Sequence, residues 1–379
     1  MHDRSALGPA DVTDRQLTLM VADLLGSDPD ETVVLESRVE EVDYEIPAIT
    51  TAGRHWVEGR ARTGDTERPF RLFVKQVQSW ARHPFFASVP EELRAMAAVG
   101  VPWRTEALAY RSDLRDRLPD GLSMPRAVGV IDIDDESNAV WLEEVPVVEA
   151  EWDLARYARA AHLLGRLAAS PQVEPLRDVG EFGWEVPIYF HGRLSSQVLP
   201  MLRDEGIWQH PLVAGAFDEE LRSRLLAAAD QAAAYSDELS AMPVASAHGD
   251  ACPNNLLTRA DSDDFVLIDY GFWAPCPIGF DLGQLLVGDA QVGKSPADAL
   301  PAIERTIVPA YVDGLRAEGC DVPADVVRRS HALQLLIFTG LSTMPFEYLD
   351  SAPTPELHHV AAERAAIARF SLDLLDETA

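Results

Sequence analysis

The sequence has little positive charge, and lysine is almost absent from it. Its 379 residues include 62 acidic side chains against 32 basic ones, which gives a formal net charge of −30, and Lys75 and Lys294 are the two lysines. Proteins that bind nucleic acid need a basic face, so this balance argues against a nucleic-acid partner. A negative field does accelerate the approach of a cationic small molecule. Acidity that only maintains solubility explains the same balance equally well.

Cysteine is also scarce, and long apolar runs are absent. The chain has three cysteines, Cys252, Cys276 and Cys320, which is an odd number, and they are not spaced like metal ligands. We therefore expect reduced thiols, as in a cytoplasm. The first sixteen residues lack the basic region and apolar core of a signal peptide. No uncharged apolar stretch approaches the length that spans a membrane. We therefore expect a cytoplasmic protein without a membrane partner, and its oligomeric state stays unknown.

The hydrophobic pattern changes character near residue 145. A chain of this length exceeds a single core, so two lobes are expected. Alternating apolar residues between turn signals predict strands in the first part, whereas the second part is largely helical. The predicted elements of the first part are a helix over 12–25 with Thr13 as its N-cap, strands over 33–46, 55–62 and 70–77, a helix over 104–118, and strands over 126–134 and 139–145.

These elements place the chain in the α+β fold class. Residues 1–145 should form one lobe, with an antiparallel sheet of about five strands, one packed helix and the leading helix over 12–25. Residues 146–379 should form a mostly helical second lobe, apart from short strands that flank a polar motif. No internal repeat is evident, so a repeat architecture is not expected.

The polar motif groups three carboxylates and an amide within about thirty residues, each on a loop or at the edge of an apolar run. They are Asp250, Asn255, Asp269 and Asp281. Phosphoryl transfer needs such a set, because one carboxylate must deprotonate the attacking hydroxyl while a second and a neutral oxygen donor hold magnesium on the phosphates. Taken singly, each residue has a structural explanation, since Asp and Asn favour turns and helix N-caps.

The order and spacing of the motif resemble the aminoglycoside phosphotransferase and choline kinase family, whose members are related to protein kinases. The matching pattern is His-Gly-Asp, four intervening residues and Asn, then Ile-Asp, about a dozen residues and Asp-Leu. The resemblance implies a bilobal protein-kinase-like fold, with residues 1–145 as the nucleotide-binding lobe and 146–379 as the lobe of the catalytic loop and acceptor site. It also implies ATP or GTP and Mg²⁺ as cofactors. The implied roles are Asp250 as catalytic base, Asn255 and Asp269 as metal ligands, and His248 and Asp281 as supports of the catalytic loop.

Two further polar residues fit the nucleotide side of this resemblance. A lysine in mid-strand usually points to solvent, but Lys75 is retained in a chain that otherwise uses arginine, which suits a compact ammonium on the α- and β-phosphates. The resemblance implies that Glu106 pairs with it, although a glutamate on an amphipathic helix is most often a surface residue. It also implies that the main chain of Glu143 and Val145 binds the base.

The sequence departs from the family at the phosphate loop, which is often richer in glycine. Here the amides of Thr51 and Gly53 are the candidates for phosphate contacts, with Arg54 supplying charge. A second phosphate motif, GxxxxGK[ST], matches residues 288–295. We expect this match to be accidental, because a P-loop follows a buried strand and opens a helix, whereas these residues should continue the helix that begins after Asp281.

We therefore expect an enzyme: an ATP- and Mg-dependent O-phosphotransferase that transfers the γ-phosphate to a hydroxyl of a small molecule. An aminoglycoside or another antibiotic, and so a resistance-type kinase, is the leading acceptor class, since an acidic lobe suits a polycation. The alternatives are a kinase of a neutral metabolite or nucleoside-like natural product, a nucleotide-binding pseudokinase scaffold, and a P-loop NTPase that uses Lys294. The candidate acceptor residues are Tyr189, His191, Arg193, Asp289 and Glu347.

Overall fold

The computed structural model of the chain describes residues 2–43, 48–181 and 185–379. The strands are β1 (His2–Asp3), β2 (Thr32–Glu41), β3 (Thr51–Thr63), β4 (Thr66–Gln78), β5 (Leu122–Ser123), β6 (Ala127–Asp134), β7 (Ser137–Glu143), β8 (Val147–Val148), β9 (Val244–Ala247), β10 (Leu256–Arg259), β11 (Phe265–Leu267) and β12 (Ala274–Pro277). The α-helices are α1 (Asp14–Leu25), α2 (Arg94–Val99), α3 (Thr105–Arg111), α4 (Leu154–Ala169), α5 (Val186–Tyr189), α6 (Leu199–Leu202), α7 (Glu205–Trp208), α8 (Pro211–Ala214), α9 (Glu219–Ser240), α10 (Asp281–Gln291), α11 (Leu300–Ala317), α12 (Ala324–Phe338) and α13 (Pro355–Glu377).

The N-terminal sheet has the strand order β1-β2-β3-β4-β7-β6. Its five longer strands are antiparallel, which confirms the predicted fold class, and the two-residue β1 adds a parallel edge that the sequence pattern did not predict. Successive side chains of a strand point to opposite faces. Leu72 and Val74 of β4 are therefore buried on one face, while Lys75 lies on the other.

Helix α1 covers the first of these two faces. Thr13 caps it as predicted, and the Gln16 side chain returns a hydrogen bond to the Thr13 backbone, which completes a capping box. Leu17 and Val21 at helical spacing are buried in one cluster with Leu72 of the sheet. Because α1 closes this face, the opposite face of the sheet is the one that meets the rest of the chain.

Two predicted elements are longer than the observed ones. The helix over 104–118 ends at Arg111, and a separate 3₁₀ turn follows at Leu114–Arg117. Ser112 is the cause, since it is extended and its hydroxyl donates to Ala109 O and accepts from Leu114 N, in competition with helical bonds. The strand over 33–46 ends at Glu41, and residues 44–46 of that prediction lie outside the described residues.

The part of the chain after residue 150 is mostly helical, as predicted. Helices α4, α10 and α11 share a core with the β10–β11 hairpin, whereas α9, α12 and α13 enclose a second apolar cluster. The hairpin and the β9–β12 pair are both antiparallel. Among the described residues, no helix combines the length and the apolar character that crossing a bilayer requires.

Candidate active site

The loop between β9 and β10 is anchored at its start by the first residue of α10. Asp281 accepts hydrogen bonds from the backbone amides of His248, at 2.9 Å, and Gly249, at 2.8 Å. The carboxylate is buried, and burial raises its pKa to about 6 even though the two amides act to lower it. A buried carboxylate that binds two consecutive amides fixes the backbone conformation of the loop directly before Asp250.

Gly249 is required by the path of this loop. Its φ of +83° is in the region that favours glycine. A Cβ atom at this position would lie 2.2 Å from the carbonyl oxygen of Phe272. The close approach places the loop against the segment that follows Asp269, so the two halves of the motif are in contact.

His248 connects the same two segments through its ring. Its Nε2 lies 3.0 Å from Ile268 O, and its Nδ1 accepts from the Asp250 amide at 3.4 Å. Burial lowers the pKa of His248 to about 4, so the ring is neutral near pH 7. A neutral ring with its proton on Nε2 satisfies both contacts. His248 thus holds the loop of Asp250 next to the residue that precedes Asp269.

Asn255 orients the side chain of Asp250. The Asn255 Nδ2 donates to the backbone oxygen of Asp250 at 2.8 Å and to its carboxylate Oδ2 at 3.0 Å. With its nitrogen engaged in this way, the amide has its oxygen to offer to a cation. Burial and the charge of Asp269 raise the pKa of Asp250 to about 7, against the opposing effect of the Asn255 hydrogen bond. The surroundings of Asp250 therefore favour its protonated form more than water does.

Lys75 bridges the sheet, helix α3 and the segment after β11. Its Nζ lies 2.6 Å from Glu106 Oε2 and 2.7 Å from Asp269 Oδ1. Lys75 and Glu106 are buried, at 5% and 3% exposure, so the sequence-based concern that Glu106 is a surface residue does not apply. Asp269 has φ 64° and ψ 62°, and it is the only non-glycine residue with positive φ in the described ranges. Such strain is typical of functional positions.

The charges of Lys75, Glu106 and Asp269 shift one another's pKa. Burial acts to lower the pKa of Lys75, but the charges of Asp269 and Glu106 prevail and raise it. Burial acts to raise the pKa of Asp269, but the Lys75 ammonium prevails and lowers it. For Glu106 burial dominates and raises the pKa. The ammonium of Lys75 is therefore a permanent positive charge at the cleft.

Arg54 faces the same cleft from the neighbouring strand. It lies directly opposite Lys75 in the β3–β4 register, and its charge acts to lower the pKa of Glu106 and of Asp269. Thr51 and Gly53 lie at the start of β3, where the register shifts between them as in a β-bulge. The connection that precedes them contains residues 44–47, which lie outside the described residues.

The two predicted base-binding positions differ in their surroundings. The Glu143 amide donates to Arg126 O, and the Arg126 amide donates to Glu143 Oε1, both at 2.9 Å. The amide of Glu143 is thus engaged within the sheet. Val145 lies after β7, in the connection to β8, where the sheet no longer fixes its backbone.

The donor types of the site suit magnesium. Among the described residues, no group of three or more His, Cys, Asp or Glu side chains is arranged to hold a metal. Mg²⁺ on nucleotide phosphates needs fewer protein ligands than that, because it keeps several waters and shares the phosphate oxygens. The carboxylate of Asp269 and the amide oxygen of Asn255 are hard oxygen donors, and both residues act on Asp250. Their chemistry fits the ion.

Four of the acceptor candidates lie on two adjoining segments. Tyr189 is buried and stacks on Phe338, with 4.2 Å between ring centroids. The π-helical segment Phe190–Val198 follows it and carries His191 and Arg193. The charge of Arg193 acts to lower the pKa of Glu347, which links this segment to the turn that contains Glu347.

The structure limits what some of these candidates can contribute. Both carboxylate oxygens of Glu347 bind Arg364, at 2.5 and 3.0 Å, so this glutamate already has a cationic partner. Asp289 lies on α10, where its charge adds to burial in raising the pKa of Tyr157 to about 12, so its carboxylate lies near Tyr157 of α4. The assignment of the five residues to an acceptor site stays a prediction.

The residues that match the P-loop motif lie at the C-terminal end of a helix, whereas a P-loop requires the N-terminal end. Gly288 is inside α10, the helix ends at Gln291, and Lys294 comes after it. A P-loop presents backbone amides from a helix N-terminus, whereas a C-terminus presents carbonyl oxygens. The Lys294 Nζ donates to Asn254 Oδ1 at 2.6 Å, a contact that the sequence pattern did not predict. Asn254 is adjacent to Asn255 in the sequence, and this adjacency is the signal that could have suggested a second polar contact to the loop.

Comparison with known proteins agrees with this geometry. A family model described as the phosphotransferase enzyme family matches residues 62–315, about two thirds of the chain. The chain belongs to this family. It is a phosphotransferase that acts on a hydroxyl group of a small molecule, as the motif predicted. A search of the curated proteins gives no match.

Solved structures give further likenesses. An aminoglycoside phosphotransferase from Alicyclobacillus acidocaldarius is 15% identical, with 89% of this chain and 96% of that chain covered and a TM-score of 0.52. One from Streptomyces rimosus is 19% identical over 89% and 99% of the two chains, with a TM-score of 0.40. An ethanolamine kinase from Plasmodium vivax is 10% identical over 96% and 90%, with a TM-score of 0.49. The first of these likenesses shows a shared fold.

Proposed function

We propose that the chain transfers the γ-phosphate of a nucleoside triphosphate, ATP or GTP, to a hydroxyl of a cationic small molecule, with Mg²⁺ as cofactor. One observation carries this proposal. The buried Lys75 ammonium contacts both Glu106 and Asp269, while Asn255 orients Asp250 on the facing loop. A scaffold without activity would have no need for both halves of this arrangement.

The nucleotide would bind between the sheet and the catalytic loop. In this proposal residues 1–145 form the nucleotide lobe, and residues 146–379 form the lobe of the catalytic loop and acceptor. The Lys75 ammonium would contact the α- and β-phosphates. Arg54 stands opposite it in register and would add a second positive charge, with the amides of Thr51 and Gly53 nearby.

Magnesium would be held by the Asp269 carboxylate and the Asn255 amide oxygen. When bound, it neutralises negative charge that develops on the transferring phosphoryl group. The protein's own contribution is to keep these two donors fixed. His248 fixes the carbonyl before Asp269, and Asp250 fixes the nitrogen of the Asn255 amide.

Asp250 would act as the base. A hydroxyl placed against its carboxylate would give up its proton as its oxygen bonds to the γ-phosphorus and the bond from that phosphorus to the β–γ bridging oxygen breaks. The proton then ends on Asp250, and the nucleoside diphosphate leaves. The raised pKa of about 7 means that this carboxylate holds a proton more readily than an ordinary aspartate. The pKa of an effective base lies near the working pH.

The proposed acceptor carries positive charge, and an aminoglycoside-type antibiotic is the leading class. The support is electrostatic: residues 146–379 carry a net charge of −19, although residues 1–145 also carry −11. Glu347 is already paired with Arg364, so a guanidinium or ammonium group of an acceptor would be recognised by other acidic side chains.

A ligand screen tests the proposal. The thermal midpoint of the protein would be measured with ATP-Mg and GTP-Mg, then with a panel of aminoglycosides, macrolides, choline-like amines and neutral nucleosides. A ligand that binds the folded state raises the midpoint by mass action. Phosphate transfer to each stabilising acceptor would then be followed by mass spectrometry. Absence of any nucleotide effect would exclude the kinase function, and transfer to a neutral acceptor alone would exclude only the cationic class.

A further inference from the structure

Helix α3, which presents Glu106, lacks a capping side chain of its own. It spans seven residues, and its N-cap Arg104 makes no side-chain capping bond. The first amides of a helix have no partner within the helix, and a helix this short is marginal without tertiary support. Glu106 is in the first turn, so the turn that is most prone to fray is the turn that holds the partner of Lys75.

Glu181, from a distant part of the chain, binds the two residues that directly precede α3. Its Oε2 accepts from the backbone amides of Trp103, at 2.7 Å, and Arg104, at 2.5 Å. The Glu181 amide in turn donates to Thr105 Oγ1 at 3.0 Å. Glu181 is thus bonded both to the backbone before α3 and to the first residue of the helix, although it lies more than seventy residues further along the chain. A carboxylate at this end of the helix also interacts favourably with the helix dipole.

The segment that carries Glu181 is itself fixed against the active site. Trp273, four residues after Asp269, donates from its indole Nε1 to Leu176 O at 2.9 Å. A Cβ atom on Gly180 would lie 2.6 Å from Trp273 O and 2.8 Å from the Thr105 side chain. Gly180 is therefore wedged between α3 and the segment after Asp269. The absence of a side chain there allows Glu181 to reach the start of α3.

We propose that Glu181 is a positioning residue for the nucleotide site: it holds the first turn of α3 so that Glu106 reaches Lys75. This inference rests on the proposed function. Without Glu181, the amides of Trp103 and Arg104 lose their carboxylate, and the first turn of α3 loosens. Lys75 would then be held by Asp269 alone, and its ammonium would no longer be fixed against the phosphates.

Nucleotide binding by purified full-length variants provides the main test. We expect Glu181→Ala to weaken ATP-Mg binding, measured by calorimetry, by about tenfold, the effect of losing a charge-assisted hydrogen bond. Glu181→Gln keeps an acceptor oxygen and should recover most of the affinity. The matched control is Asp218→Ala, which removes the N-cap of α9, where Asp218 accepts from Leu221 N at 2.9 Å. We expect the control to lower the thermal midpoint and leave ATP-Mg affinity unchanged.

A double-mutant cycle distinguishes positioning from general destabilisation. If Glu181 acts through Glu106, then Glu181→Ala should weaken binding no further in a Glu106→Gln background. Hydrogen exchange should also accelerate at the amides of Trp103 and Arg104 in Glu181→Ala, while the protection of α9 stays unchanged. Two independent, multiplicative losses of affinity, or unchanged exchange at these amides, would overturn the inference.

The outcomes also separate this inference from the function on which it rests. If the wild-type protein binds no nucleotide, the proposed function is wrong, and the role assigned to Glu181 is wrong with it. If the wild-type protein binds ATP-Mg and Glu181→Ala binds it equally well, only the role of Glu181 is wrong. Weaker binding in Glu181→Ala with recovery in Glu181→Gln supports both.

Discussion

Asp250 lies in surroundings that oppose its ionisation. Burial and the charge of Asp269 raise its pKa to about 7, and Asn255 partly compensates through a hydrogen bond. Removing negative charge at this position should therefore relieve repulsion in the cleft. At the same time it removes the group that we propose as the acceptor of the hydroxyl proton.

The prediction for Asp250→Asn is a loss of transfer without a loss of nucleotide binding. The rate of phosphate transfer should fall by about 10²–10⁴, the usual contribution of a general base. ATP-Mg affinity should stay the same or improve, because the substitution removes a charge near the phosphates. Single-turnover kinetics measures the rate of transfer, and calorimetry on the same preparation measures the ATP-Mg affinity. A near-normal kcat would show that another group takes the proton.

His331 on α12 offers a test of stability at the residue scale. It is buried, and neither ring nitrogen has a hydrogen-bond partner among the described residues. Burial, with a contribution from Arg328, lowers its pKa from 6.5 to about 3. Between these values the unfolded chain binds a proton that the folded protein cannot, so His331 must reduce stability as pH falls below about 6.5.

We therefore expect His331→Leu to flatten the acid side of the stability profile. Between pH 7 and pH 5 the wild-type protein should lose about 2 kcal/mol through this residue, and the variant should not. Urea unfolding at both pH values measures the difference. His359→Leu, at an exposed position on α13, is the matched control and should keep the wild-type slope. Equal slopes in wild type and His331→Leu would refute the prediction.

The residues that sequence could predict are those whose spacing is local. Asp250 and Asn255 are five positions apart on one loop, so their contact follows from the motif alone. Glu181 contacts α3 across more than seventy residues, and no pattern near Glu181 indicates it. The available signal was indirect: Trp103 and Arg104 are not residues that cap a helix, so the start of α3 needed an external partner.

At the scale of the element, α10 holds the loop between β9 and β10, which we propose as the catalytic loop, at both ends. Asp281 at its first turn binds the amides of His248 and Gly249, and Lys294 beyond its last turn binds Asn254. The helix thus fixes the distance between the start and the end of the loop. Sequence reasoning predicted this helix and its first contact. It did not predict the second, because a surface lysine has many possible partners.

The pair Asp269→Ala and Lys294→Ala tests which phosphate motif is real. Asp269→Ala should abolish Mg-dependent nucleotide binding, since it removes the carboxylate that we propose as a metal ligand and one of the two partners of Lys75. Lys294→Ala should leave ATP-Mg affinity unchanged. It loses one exposed hydrogen bond to Asn254, worth about 1 kcal/mol, so turnover should change by less than about tenfold. The ATP-Mg affinities of both variants, measured by calorimetry, decide between the two motifs. A collapse of binding in Lys294→Ala would restore the P-loop interpretation.

Side-chain hydrogen bonds that compete with helical backbone bonds also limit how well the ends of helices could be predicted. Helical spacing continues through residue 118, yet α3 ends at Arg111 because the Ser112 hydroxyl satisfies nearby backbone groups. Periodicity reports which face is apolar, and it does not report such side-chain bonds. The order of the strands was easier to predict, because short turns between β2, β3 and β4 leave few alternatives to a meander.

At the scale of the whole molecule, the net charge of −30 is the dominant feature. If the acceptor is a polycation, this field should accelerate its approach. Salt screens the interaction, with a Debye length of about 8 Å at physiological ionic strength. We expect kcat/KM for the acceptor to fall as KCl is raised, with kcat little changed.

Steady-state kinetics across a KCl series would measure this effect. The control is an uncharged acceptor that the enzyme also phosphorylates, or the nucleotide-hydrolysis rate in the absence of acceptor, neither of which should show the same slope. A preferred acceptor that is neutral, with kcat/KM independent of salt, would reject the polycation and leave the phosphotransferase assignment intact.

The positions of the two lysines make amine chemistry selective on this protein. Lys75 is buried and its raised pKa keeps it protonated, so it should resist acylation, whereas Lys294 is exposed just after the end of α10. An amine-reactive fluorophore or cross-linker therefore has one accessible lysine among 379 residues, in contact with Asn254. Ordinary lysine coupling, which is nearly random on most proteins, would attach a reporter beside the catalytic loop of this one.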